Sequence, residues 1–166
     1  FDRVVGKLVR AKRIYILGVR SSSFLAGYLN FYFHLIFENV TLVQSAAGEI
    51  FDQMLRIGPG DVLLAIGFPR YSKLTMSAVH FARDRGAEVI AITDSKMSPL
   101  YTLSVASLLV HCEMISFVDS MAAPVSLLNA LIVAVGKQKS AETAETFAEM
   151  ERVWSRYEIF GYEDDE

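Results

Sequence analysis

The stretch Arg13-Ile14-Tyr15-Ile16-Leu17-Gly18-Val19-Arg20-Ser21-Ser22-Ser23 decides the fold. Its first six residues form a short apolar, β-rich run that ends on Gly, the pattern of a buried strand in a parallel sheet. A hydroxyl-rich turn follows and leads straight into residues 22–37, which are apolar, long, and too helical in period for a strand. Strand, turn and helix in that order are the opening of a parallel crossover unit.

Working outward, the same alternation continues. Upstream, residues 1–11 place Val4, Val5, Leu8 and Val9 on one helical face. Downstream, Val40–Val43 is a second strand and residues 49–55 a second crossover helix. Residues 56–61, Arg-Ile-Gly-Pro-Gly-Asp, are a turn cluster. Val62–Ile66 is a third strand and residues 73–85 a third helix, with Gly86 as its stop. Glu88–Thr93 is a fourth strand, and residues 107–110 a fifth, shorter one. Repeated strand–helix units imply right-handed parallel crossovers with helices on both faces of the sheet. The expectation is therefore an α/β chain, a three-layer αβα sandwich with a five-stranded parallel sheet, Rossmann- or flavodoxin-like.

Residues 117–135 are the longest apolar segment. Asp119, Pro124 and Asn129 interrupt it, and the uninterrupted part is shorter than the ~18–20 residues of a membrane span. A core or dimer-interface helix is expected there, and no membrane association. Residues 142–156 read as a last, solvated amphipathic helix, followed by a mobile acidic tail. The chain's 166 residues suit about one domain, and 52% hydrophobic with 21% charged residues excludes a disordered or fibrous class. The single cysteine, Cys112, excludes an internal disulfide and points to a reducing cytoplasm. The N-terminus has no signal-peptide pattern, and the missing initiator Met suggests a piece of something longer. Net charge is −3, of which Glu163, Asp164, Asp165 and Glu166 contribute four negative charges, so the rest carries one net positive charge. No basic stripe is visible, which argues against direct nucleic-acid binding by these residues.

In open α/β sheets, ligands bind outside the carboxyl ends of the strands. Two loops there combine a close-approach Gly, hydroxyl side chains and a helix N-terminus. The first is Gly18-Val19-Arg20-Ser21-Ser22-Ser23; the second is Gly67-Phe68-Pro69-Arg70-Tyr71-Ser72-Lys73-Leu74-Thr75. Helix-opening N–H groups and the helix dipole favour an anion, Ser and Thr hydroxyls add donors, and Arg20 and Arg70 could add charge. The competing reading makes Ser21, Ser22 and Ser72 ordinary helix caps. Two such loops on one sheet edge favour phosphate. The first loop lacks the glycines of a dinucleotide fingerprint and the Gly-Lys-Ser/Thr of a P-loop, so NAD and nucleoside triphosphates fit poorly.

Gly18-Val19-Arg20-Ser21-Ser22 resembles the G-x-G-x-S turn of the sugar isomerase (SIS) domain. Phe68-Pro69-Arg70-Tyr71-Ser72 is similar to that family's second Ser/Thr loop as found in RpiR-type transcriptional regulators. Ala91-Ile92-Thr93-Asp94-Ser95 with Ser98-Pro99-Leu100 resembles its fourth-strand exit. The resemblance covers residues 1–137, taken as the phosphosugar-binding domain, with 138–166 a C-terminal helix and tail belonging to it. It implies a homodimeric, cytoplasmic effector-sensing domain, not an enzyme, whose bound phosphosugar modulates DNA binding by a helix-turn-helix N-terminal to Phe1. It also implies phosphate contacts from Ser21, Ser22, Ser72 and Thr75. Arg20 stands where the family has a second Gly, and Gly67 where it often has Ser.

Glu49 opens a helix near the carboxyl edge of the second strand. It either complements the helix dipole, hydrogen-bonds sugar hydroxyls, or serves as the base of an aldose–ketose isomerase. Asp94 is a cap or a pocket rim. Residues 127–135 and Phe31-Tyr32-Phe33 suit a dimer interface or the core. His34, His80 and His111 fit no metal motif, and no metal or cofactor is expected. A flavodoxin-like carrier, with flavin phosphate in the first loop, is the remaining class.

Overall fold

In a computed structural model, residues 1–44, 49–112, 114–115 and 117–160 are described. The chain runs α1 (Asp2–Arg10), β1 (Ile14–Gly18), α2 (Ser22–Phe33), β2 (Val40–Val43), α3 (Glu49–Gln53), β3 (Val62–Ile66) and α4 (Lys73–Asp84). It continues through β4 (Glu88–Thr93), α5 (Pro99–Leu103), β5 (Ala106–Leu109), β6 (Met114–Ile115), β7 (Val118–Asp119), α6 (Ala122–Gln138) and α7 (Ser140–Tyr157). β1 and β3 are buried at every position. Such strands read as unbroken apolar runs because helices cover both faces of the sheet.

The period of two sorts these strands into two cores. Ile14 and Ile16 of β1 and Leu64 and Ile66 of β3 pack with α1, α2 and α6, where Leu8, Leu29, Phe33, Leu128 and Leu131 are fully enclosed. Tyr15 and Leu17 of β1 and Leu63 and Ala65 of β3 point the other way, onto Ile50, Met54, Val79, Ala82 and Leu100 of α3, α4 and α5 and the turns beside them. The result is three layers: helices, sheet, helices. All pairings of the five-stranded sheet are parallel, in the order β2-β1-β3-β4-β5. This is the flavodoxin-like order, in which chain progression reverses direction between β1 and β3.

That reversal places the site. α2 leaves the carboxyl end of β1 toward one face, and α4 follows β3 toward the other. The loops after β1 and β3 therefore diverge and leave a crevice between them. At the opposite end, the buried Asp61 carboxylate accepts from Arg13 Nε (3.0 Å), Arg13 Nη2 (2.6 Å) and the Gly58 N–H (2.9 Å). This clamp ties the turn before β3 to the start of β1.

Several sequence expectations need correcting. α2 ends at Phe33 rather than Phe37; Ile36 and Phe37 are still buried, so the apolar period outlasts the helix. The first residues of the apolar segment 117–135 are not helical. Phe117 is 88% exposed and lies at the turn of the antiparallel β6–β7 hairpin, and α6 begins only at Ala122. α5 was not anticipated; Ser98 caps it, accepting from the Leu100 N–H at 3.2 Å, with Pro99 at its first position. α7 has no buried residue, in keeping with a solvated helix. The tail, from residue 161 on, lies outside the described residues. Among the described residues no helix is long and apolar enough to cross a membrane.

Candidate functional site

Gly18 closes β1, and a Cβ there would run into the Ser22 carbonyl oxygen and come within 2.7 Å of its carbon. Only a glycine lets the first turn of α2 approach the strand this closely. Two residues on, Arg20 takes φ = +58°, a left-handed conformation costing a non-glycine residue roughly 1–2 kcal/mol. The position thus asks for the backbone that a glycine adopts freely, which explains the second Gly of the G-x-G-x-S turn. Arg20 retains that backbone and adds a guanidinium. Arg70, in the loop after β3, is left-handed too, at φ = +62°. Strained backbone of this kind gathers at ligand clamps.

Both loops line one cleft of about 540 Å³ at the β1/β3 switch point. The first contributes Arg20, Ser21 and Ser22; the second contributes Arg70, Ser72 and Thr75. Six of the seven expected site residues therefore converge. The seventh, Glu49, does open α3, but its side chain lies outside what is described. Ser22 and Thr75 are almost wholly buried on the first turns of α2 and α4. Ser72 caps α4, its Oγ accepting from the Leu74 N–H at 3.2 Å, so the capping reading holds there. A serine oxygen that accepts this bond still has its proton to donate. Ser21 holds the cap position of α2 without capping it through its side chain. Its Oγ instead donates to Asp119 Oδ2 at 2.8 Å.

Asp119 and Phe117 complete the lining from the β6–β7 hairpin, and the sequence reading missed both. It treated Asp119 only as a break in an apolar segment. An acid just before a helix, after the carboxyl end of the last sheet strand, was the signal available. Gly67 is glycine for a packing reason: a Cβ would meet Leu100 Cδ1, on a fully buried side chain, at 2.7 Å. Asp94 braces the second loop. It accepts from the Tyr71 hydroxyl at 2.5 Å, and Thr93 Oγ1 lies 3.2 Å from it and 2.7 Å from Ser98 Oγ. Burial, and secondarily the hydrogen bond to Asp94, push the Tyr71 phenol above its ordinary pKa.

Other candidate groups fall away from the cleft. His34, His80 and His111 are exposed, and no cluster of three or more His, Cys, Asp or Glu among the described residues could hold a metal. Cys112 is buried; burial first, then Asp119 and Asp94, raises its thiol pKa. The cleft itself offers hydroxyls, guanidiniums, helix openings and one carboxylate, a donor-rich surface suited to an oxyanion.

Comparison with curated proteins finds no match. The family model described as SIS domain matches residues 7–134. Among solved structures, the sugar isomerase domain of an RpiR transcription factor from Sphaerobacter thermophilus is 19% identical. Its TM-score is 0.85, over 91% of this chain and 84% of that one. The Vibrio vulnificus NanR protein complexed with ManNAc-6P is 21% identical, with a TM-score of 0.79 over 94% of this chain. Only 60% of NanR is covered, so this chain spans about three fifths of that protein. A putative phosphosugar isomerase involved in capsule formation from Bacteroides fragilis is 16% identical, with a TM-score of 0.74 over 87% of this chain and 83% of that one. At these identities the likeness establishes the fold.

Proposed function

This chain belongs to the SIS domain family, and from that premise we propose that it is the phosphosugar-sensing domain of an RpiR-type transcriptional regulator. One observation carries the reading. Two hydroxyl-bearing loops, each with a left-handed arginine, meet across one cleft at the switch point of the sheet. In this reading Ser22, Ser72 and Thr75 donate to the phosphate, Arg20 and Arg70 supply charge, and Ser21 lines the sugar end. The unit 1–137 binds the ligand, and α7 and the tail are its appendage.

The domain works as a homodimer in the cytoplasm. DNA is contacted only by a helix-turn-helix outside this chain. Exposed Phe24 and Phe31 on α2 and Val133 on α6 support a dimer face on that layer of the sandwich. A ligand shifts such a regulator only through its different affinity for two states. The helix openings that form the site belong to opposite layers, so occupancy favours one relative arrangement of them.

A binding role rather than catalysis is favoured by the described lining residues. They include no histidine, lysine or cysteine, and their single carboxylate is already engaged by Ser21. The competing reading, an aldose–ketose isomerase with Glu49 as base, draws on the Bacteroides likeness. The test is thermal unfolding against a panel of hexose and pentose phosphates, with turnover assayed in parallel. A rise in Tm that is lost in Ser22→Ala/Ser72→Ala, without turnover, supports the sensor. Turnover abolished by Glu49→Gln replaces it with the isomerase. No shift for any sugar phosphate refutes both.

A further inference from the structure

The phosphate reading assigns no task to Asp119, the one acidic group among the described residues lining the cleft. We propose that Asp119 is the specificity-determining residue of this site. It admits phosphosugars that present a hydroxyl or ammonium donor and rejects those carrying a second anionic group. The inference rests on the phosphosugar reading above.

A serine hydroxyl has one hydrogen to donate, and that of Ser21 goes to Asp119 Oδ2 at 2.8 Å. While this bond stands, Ser21 is an anchor for the carboxylate. An ionised carboxylate only accepts, with about four lone-pair sites, and among the described residues the Ser21 hydroxyl is the one side chain that donates to it. The donors lie elsewhere. The Ser72 oxygen is taken by the Leu74 N–H, while among the described residues nothing takes its proton, and Thr75 sits on the same first turn of α4. Donors thus line both helix openings, Ser22 on α2 and Ser72 and Thr75 on α4, while the acceptor stands on the hairpin wall. The cleft's volume of about 540 Å³ exceeds what a phosphate alone fills, which leaves room for a sugar between the two.

The placement of Asp119 makes it selective. It arrives on β7, in a two-stranded hairpin separate from the main sheet, and its position is fixed by a bond across the site to the first loop. A sugar hydroxyl or ammonium beside it gains a charge-assisted hydrogen bond. A carboxylate or second phosphate in the same place meets a like charge in a partly desolvated cleft.

Calorimetry on the whole chain tests this with glucose 6-phosphate, glucosamine 6-phosphate, 6-phosphogluconate, fructose 1,6-bisphosphate and inorganic phosphate. The wild type is expected to bind the better monophosphate about tenfold or more tightly than either compound with a second anion. Asp119→Asn should narrow that ratio about tenfold, with Asp119→Ala as a second variant in case the first fails to fold. Ser21→Ala, which frees the carboxylate from its anchor, should narrow it by a smaller factor. An unchanged ratio in folded Asp119 variants, with monophosphates still bound, overturns this inference and leaves the phosphosugar reading intact. Wild-type protein that binds none of the five, and whose Tm no hexose or pentose phosphate raises, overturns both.

Discussion

Replacing a glycine by alanine should act in opposite directions at two positions nine residues apart. At Gly18 the new methyl would run into the Ser22 carbonyl, lie 2.7 Å from its carbon, and press on Ala26 Cβ at 3.0 Å. The first two obstacles are backbone in the opening turn of α2, so relief requires the helix to move off the sheet. Overpacking of this kind costs about 2–3 kcal/mol, and in a chain of this size that lowers Tm by roughly 5–10 °C. At Gly27, inside α2, an added Cβ meets nothing within 4 Å. There alanine removes backbone freedom from the unfolded chain and should stabilise by about 0.5–1 kcal/mol. The two variants should therefore differ by about 3 kcal/mol although the atoms added are identical. Urea unfolding with a shared m-value measures this, since midpoints then report stability directly. A Gly18→Ala protein within about 0.5 kcal/mol of wild type would refute the close approach of α2 to β1, as would an equal loss at Gly27.

Arg13→Ala should cost about 2–3 kcal/mol by chemical denaturation, because among the described residues it leaves the buried Asp61 carboxylate only the Gly58 N–H. Leu131→Ala, in the core under α6, should cost about 2–5 kcal/mol, whereas Phe147→Ala on α7 should stay below about 1 kcal/mol. Stability should also fall in alkali. Burial raises the Tyr15 and Tyr71 phenols above their ordinary value, so the folded state holds protons that the unfolded chain releases near pH 10. Their contribution is complete below that pH and is lost as pH rises through the folded values; Tm scans between pH 8 and 11 read the decline, and Tyr71→Phe should flatten part of it. Cys112, raised by burial as well, should react with a thiol reagent much more slowly in native protein than in urea.

The centre of the sheet was legible because β1, β3 and nearly all of β4 are buried on both faces, so they show as apolar runs bounded by Gly or turn residues. Val40–Val43, Val62–Ile66 and Glu88–Thr93 lie where the sequence placed them. Helix ends were harder to read. Ile36 and Phe37 are buried by tertiary packing after α2 has stopped, and periodicity cannot distinguish a buried turn from another turn of helix. Five-residue α5 is too short to show a period. The convergence of the two Ser loops followed from a topological rule, since both end strands that flank the switch point. Asp119 did not, because what brings it to Ser21 is the path of a hairpin 98 residues further along the chain. Phe117 and Val118 hid that hairpin by extending an apolar run that continues into α6, although both are exposed.

The divergence of α2 and α4 has a mechanical consequence. The two apolar cores lie against different faces of the sheet. An oxyanion held at once by Ser22 on one side and by Ser72 and Thr75 on the other acts as a rivet through the sandwich. Fraying of either helix opening would then loosen the other, so the amides of both first turns should gain exchange protection together when the rivet is in place.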